Sequence, residues 1–257
     1  MKLDPELLRG LGLKEFTALD LETTGLDPQT AEIIELGAVR FVDGEPKEKF
    51  SALVRPEGEL PPVITALTGI GPEDLAGAPP LGEALPDFLE FIGKGKIVAH
   101  KAEFDRGFLE AAAAGLGISL PHHEWLDTLL LARALLPRSR NHKLGTLAEG
   151  LGLPQEGPHR AAADAERVGL LLIALLKRGL DVGFPALQGL ASLSPPGLRE
   201  LFKGLVSYRR ERGILGGRRA AQAPPWEPRP REIWEDFRLD PGQIELFFKR
   251  DGPLAQR

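Results

Sequence analysis

Short apolar runs in the first hundred residues, separated by polar turns, predict the strands of a sheet. Four runs have this form: residues 16–22, 33–42, 49–54 and 96–100. The first run ends at Thr23-Thr24-Gly25, and Asp43-Gly44, which follows the second, is typical of a hairpin turn. We therefore expect a sheet that is built mostly from the first hundred residues.

Helical spacing of apolar residues becomes more common after that point. The clearest helix spans residues 162–177, where apolar side chains recur three and four positions apart: Val168, Leu171, Leu172, Leu175 and Leu176. Weaker patterns predict further helices at residues 81–92, 102–114, 127–136 and 145–151. Early strands with helices among and after them predict an α/β protein with a mixed sheet.

The pattern changes again near residue 180. Pro195-Pro196 precedes an amphipathic helix whose apolar residues lie on one side: Leu198, Leu201, Phe202, Leu205 and Val206. Residues 213–230 are rich in Gly, Pro and Arg without periodicity, which is typical of a linker. We expect an N-terminal extension (1–13), a main α/β domain (14–180), a helical extension (181–213), and a linker with a partly disordered tail (214–257).

Composition narrows the classes of protein and of site. The 257 residues are 42% hydrophobic and 27% charged, as in globular proteins. No run of about 18 apolar residues is present, and residues 1–10 lack the apolar core of a secretory signal, so we expect a cytoplasmic protein with no membrane contact. The chain has no Cys and five His, so a metal site would depend on carboxylates, which favour Mg²⁺ or Mn²⁺.

Charge is distributed unevenly along the chain. The formal net charge is −5, which argues against a protein that coats nucleic acid by bulk charge alone. Residues 181–257 contain 13 Lys and Arg against 10 Asp and Glu, whereas residues 1–180 contain 19 against 27. The negative charge therefore belongs to the main domain.

Four acidic residues of that domain occupy positions that face apolar neighbours. Asp20 and Glu22 stand at i and i+2 of a strand, so both side chains leave the same face. Asp105 and Asp164 each precede apolar residues of a predicted helix by three or four positions and share its apolar face. Clustered buried carboxylates raise one another's pKa, and divalent cations relieve that cost. Two such cations can promote a phosphoryl displacement.

Each acid alone also has a structural interpretation. Asp20 could end its strand, and Asp105 or Asp164 could lie at a helix border in contact with water. The joint arrangement favours a metal site, particularly since His159 lies five residues before Asp164 in a loop that contains Pro158. A loop histidine beside such a cluster can act as the general base toward an attacking water.

Six segments resemble the motifs of the DnaQ-like (DEDDh) 3′–5′ exonucleases, in the family's order and spacing. They are DLETTG at 20–25, EIIELG at 32–37, LTGI at 67–70, AHKAEFD at 99–105, DTL at 127–129 and HRAAADA at 159–165. The resemblance implies a ribonuclease H-like fold, which is a mixed five-stranded sheet with flanking helices. It also implies an exonuclease of the kind that proofreads for bacterial DNA polymerase III, the epsilon type.

The resemblance assigns roles to the acids and to the histidine. Four carboxylates would bind two Mg²⁺ or Mn²⁺ ions: Asp20, Glu22, Asp105 and Asp164. Asp20 would bridge both ions, Glu22 and Asp164 would complete the first site, and Asp105 would support the second. His159 would be the general base, and its presence indicates the DEDDh subtype.

Substrate contacts are implied in the same way. The loop Thr23-Thr24-Gly25 would hold the 3′-terminal nucleotide through its backbone, and Leu67 would pack against the sugar or base of that nucleotide. His100 and Lys101 would also bind substrate, although the family usually has Asn where this chain has Lys101. The ammonium there is expected to contact a phosphate or to pair with a neighbouring acid. Asp127 is expected to be structural.

The tail contains a second resemblance. Gln243–Phe248 is similar to the Gln-x-x-Leu-Phe peptide by which bacterial polymerases and repair proteins bind the sliding clamp. Gln243 would supply polar specificity while Leu246 and Phe247 fill an apolar pocket; the alternative is a plain amphipathic end segment. A basic cluster could contact DNA phosphates or form a solvated linker: Arg209, Arg210, Arg212, Arg218 and Arg219.

We therefore predict a metal-dependent 3′–5′ exonuclease that releases nucleoside 5′-monophosphates from DNA and proofreads in replication. Its expected partners are DNA 3′ ends, a DNA polymerase catalytic subunit and the sliding clamp. Two enzymatic alternatives remain open, an RNA-directed relative of the oligoribonuclease or RNase T kind and a DNA-repair paralogue. An alternative of another class is a non-catalytic module that tethers replication proteins.

Overall fold

The computed structural model describes residues 3–154 and 160–215. These residues form two compact units. Unit 1 comprises residues 3–128, 144–154 and 160–174, and unit 2 comprises residues 129–143 and 175–215. Most of the predicted linker and tail lies outside the described residues, and the predicted domain limits stay predictions.

The strands are β1 (Glu15–Thr23), β2 (Ile33–Val42), β3 (Glu45–Leu53), β4 (Ile97–Ala99) and β5 (Trp125–Asp127). Within unit 1 the helices are α1 (Pro5–Gly10), α2 (Pro62–Thr68), α3 (Pro72–Leu75), α4 (Leu81–Ile92), α5 (Ala102–Gly115) and α7 (Leu144–Gly150). Unit 2 contains α9 (Phe184–Leu193) and α10 (Pro196–Glu211). Two helices have residues in both units: α6 (Thr128–Leu135) and α8 (Ala161–Asp181).

The strands form one mixed sheet in the order β3-β2-β1-β4-β5. β1 and β3 pair with β2 in antiparallel fashion, and β4 pairs with β1 and β5 in parallel. Asp43 and Gly44 both have positive φ angles, of 51° and 78°, as a two-residue hairpin turn requires. The predicted fold, a five-stranded mixed sheet with flanking helices, is confirmed.

The pairing of β1 with β2 brings functional candidates opposite one another. Asp20 lies across from Gly37, and Glu22 lies across from Glu35. The register then shifts between Glu22 and Thr23. Such an irregularity redirects side chains and ends regular pairing. The regular part of β1 therefore ends directly after Glu22, where the loop begins.

Two glycines allow the first part of α8 to lie close to the sheet. A Cβ atom on Gly37 would lie 2.2 Å from the carbonyl carbon of Ala161, and one on Gly169 would lie 2.1 Å from the ring of Phe41. The Phe41 ring is itself buried and stacks on Phe16 at 4.9 Å between centroids. The packing of α8 on β2 therefore requires that Gly37 and Gly169 have no side chain.

Helices α1, α4 and α5 also contribute buried residues to the core of unit 1. Apolar residues of α4 and α5 pack with residues of the sheet: Leu19, Leu36, Leu85, Phe88, Ile97, Phe108 and Leu109. Leu7 and Leu8 of α1 are buried as well. A side-chain oxygen of Asp4 caps α1 by accepting from the N–H of Glu6 at 2.9 Å.

Unit 2 is held by apolar packing and by one buried arginine. Arg209 is fully buried; its Nε donates to the carbonyl of Ile214 at 3.0 Å, and its Nη1 donates to the carbonyl of Val182. Its guanidinium also lies over the ring of Phe184. The suggestion that Arg209 contacts DNA is therefore wrong, because burial and the bonds to carbonyls remove this residue from the surface.

Five elements were not predicted from the sequence: β5 and the short helices α1, α2, α3 and α9. β5 has three residues, of which only Asp127 falls within the predicted helix at 127–136, and a short parallel strand shows no periodicity of its own. α9 precedes the predicted amphipathic helix, which is α10. Among the described residues, no helix is long and apolar enough to cross a membrane.

Candidate active site

Three of the four predicted acids meet at one point of unit 1. Asp20 and Glu22 extend from β1, and Asp164 lies in the first turn of α8. One carboxylate oxygen from each of the three lies within 4.8 Å of the others. Carboxylate oxygens at this spacing are the donor set that hard divalent cations prefer, so the residues fit a Mg²⁺ or Mn²⁺ site.

The fourth acid, Asp105, lies outside that group of three. It is buried on α5, with 3% of its surface exposed. Burial raises the pKa of Asp105, while hydrogen bonds from the backbone at Asp105 and Leu21 oppose that rise. The charge of Asp105 in turn raises the pKa of Asp20. The residue therefore belongs to the same electrostatic cluster.

Burial and mutual repulsion raise the pKa values of Asp20 and Glu22 above their ordinary range. Burial is the main cause that raises the pKa of Asp20 well above its usual range, followed by the charges of Asp105, Asp164 and Glu22. Burial also raises the pKa of Glu22 to about 7, with Asp164 next in importance. A cation bound among these oxygens would offset both effects, because its positive charge stabilises the ionised carboxylates.

Glu35 is a functional candidate that the sequence analysis did not single out. It is completely buried on β2, and its carboxylate accepts from the Ala161 N–H at 3.0 Å and from Nη2 of Arg160 at 3.1 Å. Ser51 Oγ donates to it at 3.3 Å. The signal was the EIIELG segment itself, in which Glu35 interrupts an apolar strand opposite Glu22.

We call Glu35, Arg160 and the N–H of Ala161 the α8 clasp. These contacts fasten the beginning of α8 to β2, one turn before Asp164. Asp164 also pairs with Arg167 within the same helix. The clasp and Arg167 thus hold Asp164 in place. Among the described residues, Asp164 is the only predicted metal ligand on α8. His159, the predicted general base, directly precedes Arg160 and lies outside the described residues.

The predicted nucleotide loop is tied back to the chain by hydrogen bonds. Thr23 Oγ1 donates to the carbonyl of Gly25 at 2.6 Å, and Thr24 Oγ1 accepts from the N–H of Glu32 at 2.8 Å. The Glu32 carboxylate accepts from the backbone N–H of Glu57 at 2.7 Å and of Gly58 at 2.9 Å. The loop after β1 is therefore fastened to the segment that leads into α2.

Leu67, predicted to pack against the substrate, lies in α2 with 57% of its surface exposed. Ile64 of the same helix packs on Ile34 and Ile70. The helix is thus anchored by one face while Leu67 remains accessible. Its contact with a nucleotide stays a prediction.

His100 and Lys101 lie between β4 and α5. Thr128 Oγ1 donates to the carbonyl of Ala99 at 3.1 Å, so it accepts from His100 Nδ1, 3.0 Å away. Lys101 has φ 72° and ψ 53°, a left-handed conformation that Asn adopts more readily than Lys. The Lys101 N–H donates to the Asp127 carboxylate at 3.1 Å, which ties the segment between β4 and α5 to the end of β5.

The predicted clamp-binding residues, Gln243, Leu246 and Phe247, lie outside the described residues. The same is true of Arg218 and Arg219 of the basic cluster. Their roles stay predictions.

Comparison with known proteins places this geometry in a family. The exonuclease family model, RNase T, matches residues 17–172. The chain is 34% identical over 223 residues to a PolC-type DNA polymerase III of Bacillus cereus, covering 79% of this chain and 16% of the relative. It is 34% identical over 182 residues to the 3′–5′ exonuclease DinG of Bacillus subtilis, covering 70% of this chain and 20% of the relative.

Solved structures resemble the fold as well. Exonuclease X in complex with 5′ overhanging duplex DNA is 28% identical, with a TM-score of 0.51, and the match covers 63% of this chain and 91% of that one. Exonuclease I of E. coli in complex with a dT13 oligonucleotide is 17% identical, with a TM-score of 0.57, over 69% of this chain and 46% of that one. The latter likeness concerns the fold alone. The chain spans a fifth or less of the length of the two curated relatives.

Proposed function

The chain belongs to the exonuclease family, and on that basis we propose that it is a metal-dependent 3′–5′ exonuclease that releases nucleoside 5′-monophosphates from DNA 3′ ends. The observation that carries the proposal is the meeting of Asp20, Glu22 and Asp164 within 4.8 Å. An acid cluster of this kind is costly to a fold unless cations use it.

Asp20, Glu22 and Asp164, with Asp105 beside them, would hold two Mg²⁺ or Mn²⁺ ions. When bound, such ions lower the pKa of a water nucleophile and stabilise the charge on the leaving oxygen of a phosphodiester. Burial and the charge of Asp164 raise the pKa of Glu22 to about 7 without metal, and a bound cation would offset this cost, which supports the assignment.

The remaining predicted residues would act on the nucleic acid directly. His159 would take the proton of the attacking water, while the Thr23–Gly25 loop and Leu67 would hold the terminal nucleotide. The hydrogen bonds that fasten the loop support this role, because a fixed backbone can position a 3′ end without reorganising. His100 and Lys101 would complete the substrate contacts.

Replication proofreading is the setting that we propose, in a cytoplasmic protein. The PolC-type relative is a DNA polymerase and supports an association with a polymerase catalytic subunit. The Gln243–Phe248 peptide supports a second association, with the sliding clamp. Co-elution of the full chain with the clamp tests the second association; loss of co-elution in a Gln243→Ala, Phe247→Ala variant is expected, and unchanged co-elution would remove the peptide from the proposal.

Matched oligomers test the substrate class. We expect the full chain with Mn²⁺ to shorten a DNA oligomer and a mispaired primer faster than an RNA oligomer of the same sequence. The Asp20→Ala variant serves as the inactive control. Faster digestion of RNA than DNA would favour the RNA-directed alternative, and equal rates for wild type and Asp20→Ala would contradict the assignment of the site.

A further inference from the structure

Arg160 of the α8 clasp uses only one edge of its guanidinium group to hold Glu35. Nε donates to the two carboxylate oxygens at 3.2 Å and 3.3 Å, and Nη2 donates to the first of them at 3.1 Å. Within the described part of the chain, Nη1 has no hydrogen-bond partner. Because a guanidinium has five N–H donors, the edge formed by Nη1 and the second N–H of Nη2 remains available.

The available edge of Arg160 is accessible, and its position is fixed from the bonded edge. The side chain of Arg160 is 49% exposed, whereas that of Glu35 is 1% exposed. Glu35 is held in turn, because it also accepts from the Ala161 N–H and from Ser51 Oγ. A planar guanidinium that is bound through two of its nitrogens cannot turn freely, so the available edge is ordered before any ligand binds. An ordered donor loses less conformational entropy on binding.

Arg160 lies beside the acids of the candidate metal site. Glu35 is the cross-strand neighbour of Glu22, so the guanidinium that binds Glu35 is close to both carboxylates. Burial and Asp164 raise the pKa of Glu22, and the charge of Arg160 opposes that rise. The hydrogen bond to Glu35 raises the pKa of Arg160, and the charges of Asp74 and Glu22 add to that effect. A phosphate group held by cations at the acid cluster would therefore adjoin this arginine.

The backbone also fixes Arg160 relative to the acid cluster. The N–H of Asp164 donates to the carbonyl of Arg160 at 2.9 Å, so the two residues are joined by one helical turn at the start of α8. Asp164 is one of the three acids whose oxygens meet within 4.8 Å. Neutralisation of Glu35 accounts for the bonded edge of Arg160, and the exposed edge is the part that a substrate anion could use.

We propose that the available edge of Arg160 binds a non-bridging oxygen of the phosphodiester that is hydrolysed. This inference rests on the proposed exonuclease function, since it assigns a contact to the same substrate. Negative charge increases on the phosphoryl oxygens as the bond to the leaving oxygen is replaced, and an ordered guanidinium stabilises that charge. The 5′-phosphate of the released nucleotide keeps these oxygens, so the product should contact Arg160 as well.

The test uses thymidine 5′-monophosphate as the probe of the phosphate contact. Three variants of the full chain are compared with wild type: Arg160→Gln, Arg160→Lys and Lys49→Gln. Arg160→Lys keeps a cation for Glu35 but has no second donor edge. Lys49→Gln is the matched control, because Lys49 of β3 also ties α8 to the sheet, through an ion pair with Glu166. Electron paramagnetic resonance first gives the Mn²⁺ affinity of each protein, and calorimetric titrations with the nucleotide then follow at saturating Mn²⁺.

We expect Arg160→Gln to bind the nucleotide about tenfold more weakly, because charge-assisted hydrogen bonds to the phosphate are lost. Arg160→Lys should also lose affinity for the nucleotide, since a single ammonium does not replace the planar fork. It should nevertheless keep the wild-type Mn²⁺ affinity, a separation that a merely structural role would not produce. Lys49→Gln should keep the wild-type affinity for both ligands.

Wild-type nucleotide affinity in Arg160→Lys would overturn the inference, because that variant lacks only the second edge. An equal loss in Lys49→Gln, or no nucleotide binding by the wild type, would overturn it too. The proposed function is tested separately, by hydrolysis of the p-nitrophenyl ester of thymidine 5′-monophosphate with Mn²⁺. Failure of the wild type to hydrolyse this ester, while nucleotide binding still depends on Arg160, would contradict the proposed function and leave the phosphate contact in place.

Discussion

In the candidate site, the charge of several acidic side chains is offset in part by two arginines. Five acids contribute: Asp20, Glu22, Glu35, Asp105 and Asp164. Two arginines at the start of α8 offset part of that charge, since Arg160 pairs with Glu35 and Arg167 with Asp164. Cations would neutralise the remaining negative charge. Without them, the stability of the protein depends on the protonation of these acids.

The first prediction concerns pH and Glu22. Its folded pKa of about 7 lies above the ordinary 4.5, so its contribution to stability is present below pH 4.5 and is lost as the pH rises through 7. In EDTA the Tm should therefore fall over this range, and Mn²⁺ should restore it at pH 8. The Glu22→Gln variant should show a smaller fall and a smaller gain from Mn²⁺. Thermal unfolding checks this; a steeper fall in Glu22→Gln would contradict it.

The second prediction concerns the α8 clasp. Replacement of Glu35 by Gln removes the charge that holds Arg160, and loss of such a supporting group lowers metal affinity or activity by about 10–100-fold. We expect kcat to fall in Glu35→Gln and in Arg160→Gln. The double variant should lose little more than either single one, because the two side chains act as a unit.

Glu48→Gln is the control for the clasp, since it breaks an exposed ion pair with Arg40 between β2 and β3. The Tm and the Mn²⁺ concentration for half-maximal activity are measured beside kcat. A lower Tm with unchanged kcat in both single clasp variants would show that the clasp is a purely structural contact.

The candidate metal ligands were accessible to sequence reasoning and the clasp was not. Asp20 and Glu22 were visible because a strand alternates its faces, and Asp164 because helical spacing aligned it with apolar residues. Glu35 received no role because its partners Arg160 and Ala161 are 125 and 126 residues away, a distance over which a single sequence gives no pairing signal.

At the scale of elements, the site depends on the contact between β2 and α8. The third prediction compares two Gly→Ala changes at this contact. A Cβ on Gly37 would meet the Ala161 backbone at 2.2 Å, beside the acids, while one on Gly169 would meet Phe41 at 2.1 Å, two turns farther along the helix. Both variants should lose about 1–3 kcal/mol of stability through overpacking.

Only Gly37→Ala should also weaken Mn²⁺ binding, because it displaces the start of α8 that carries Asp164. Chemical denaturation measures the stability, and Mn²⁺ electron paramagnetic resonance measures the binding. Equal loss of Mn²⁺ affinity in the two variants would show that global stability, and not this contact, governs the site.

The limits of some long elements were predicted closely, whereas several short elements were missed. β2 and α4 have the limits that their apolar patterns gave, since each is long enough to show a period. β5, with three residues, was missed because its strand character comes from pairing with β4. α9 was missed for a different reason, because its apolar residues do not form a single stripe before Pro195.

At the scale of the whole molecule, the chain combines an acidic unit that contains the candidate site with a basic unit. Net charge alone had argued against bulk association with nucleic acid, but the charge is divided unevenly between the units. The acids of unit 1 would be neutralised in part by cations bound at the candidate site. This statement depends on the central claim that the acid cluster hydrolyses phosphodiesters from a 3′ end.

That claim is tested most directly by one digestion. A DNA oligomer labelled at its 5′ end is incubated with the full chain and Mn²⁺, and with an Asp20→Asn variant whose folding is verified by thermal unfolding. The account predicts a ladder that shortens one nucleotide at a time from the 3′ end with wild type, release of nucleoside 5′-monophosphates, and no ladder with Asp20→Asn or with EDTA. A ladder of equal rate with Asp20→Asn, or an intact oligomer with folded wild type and Mn²⁺, would contradict it.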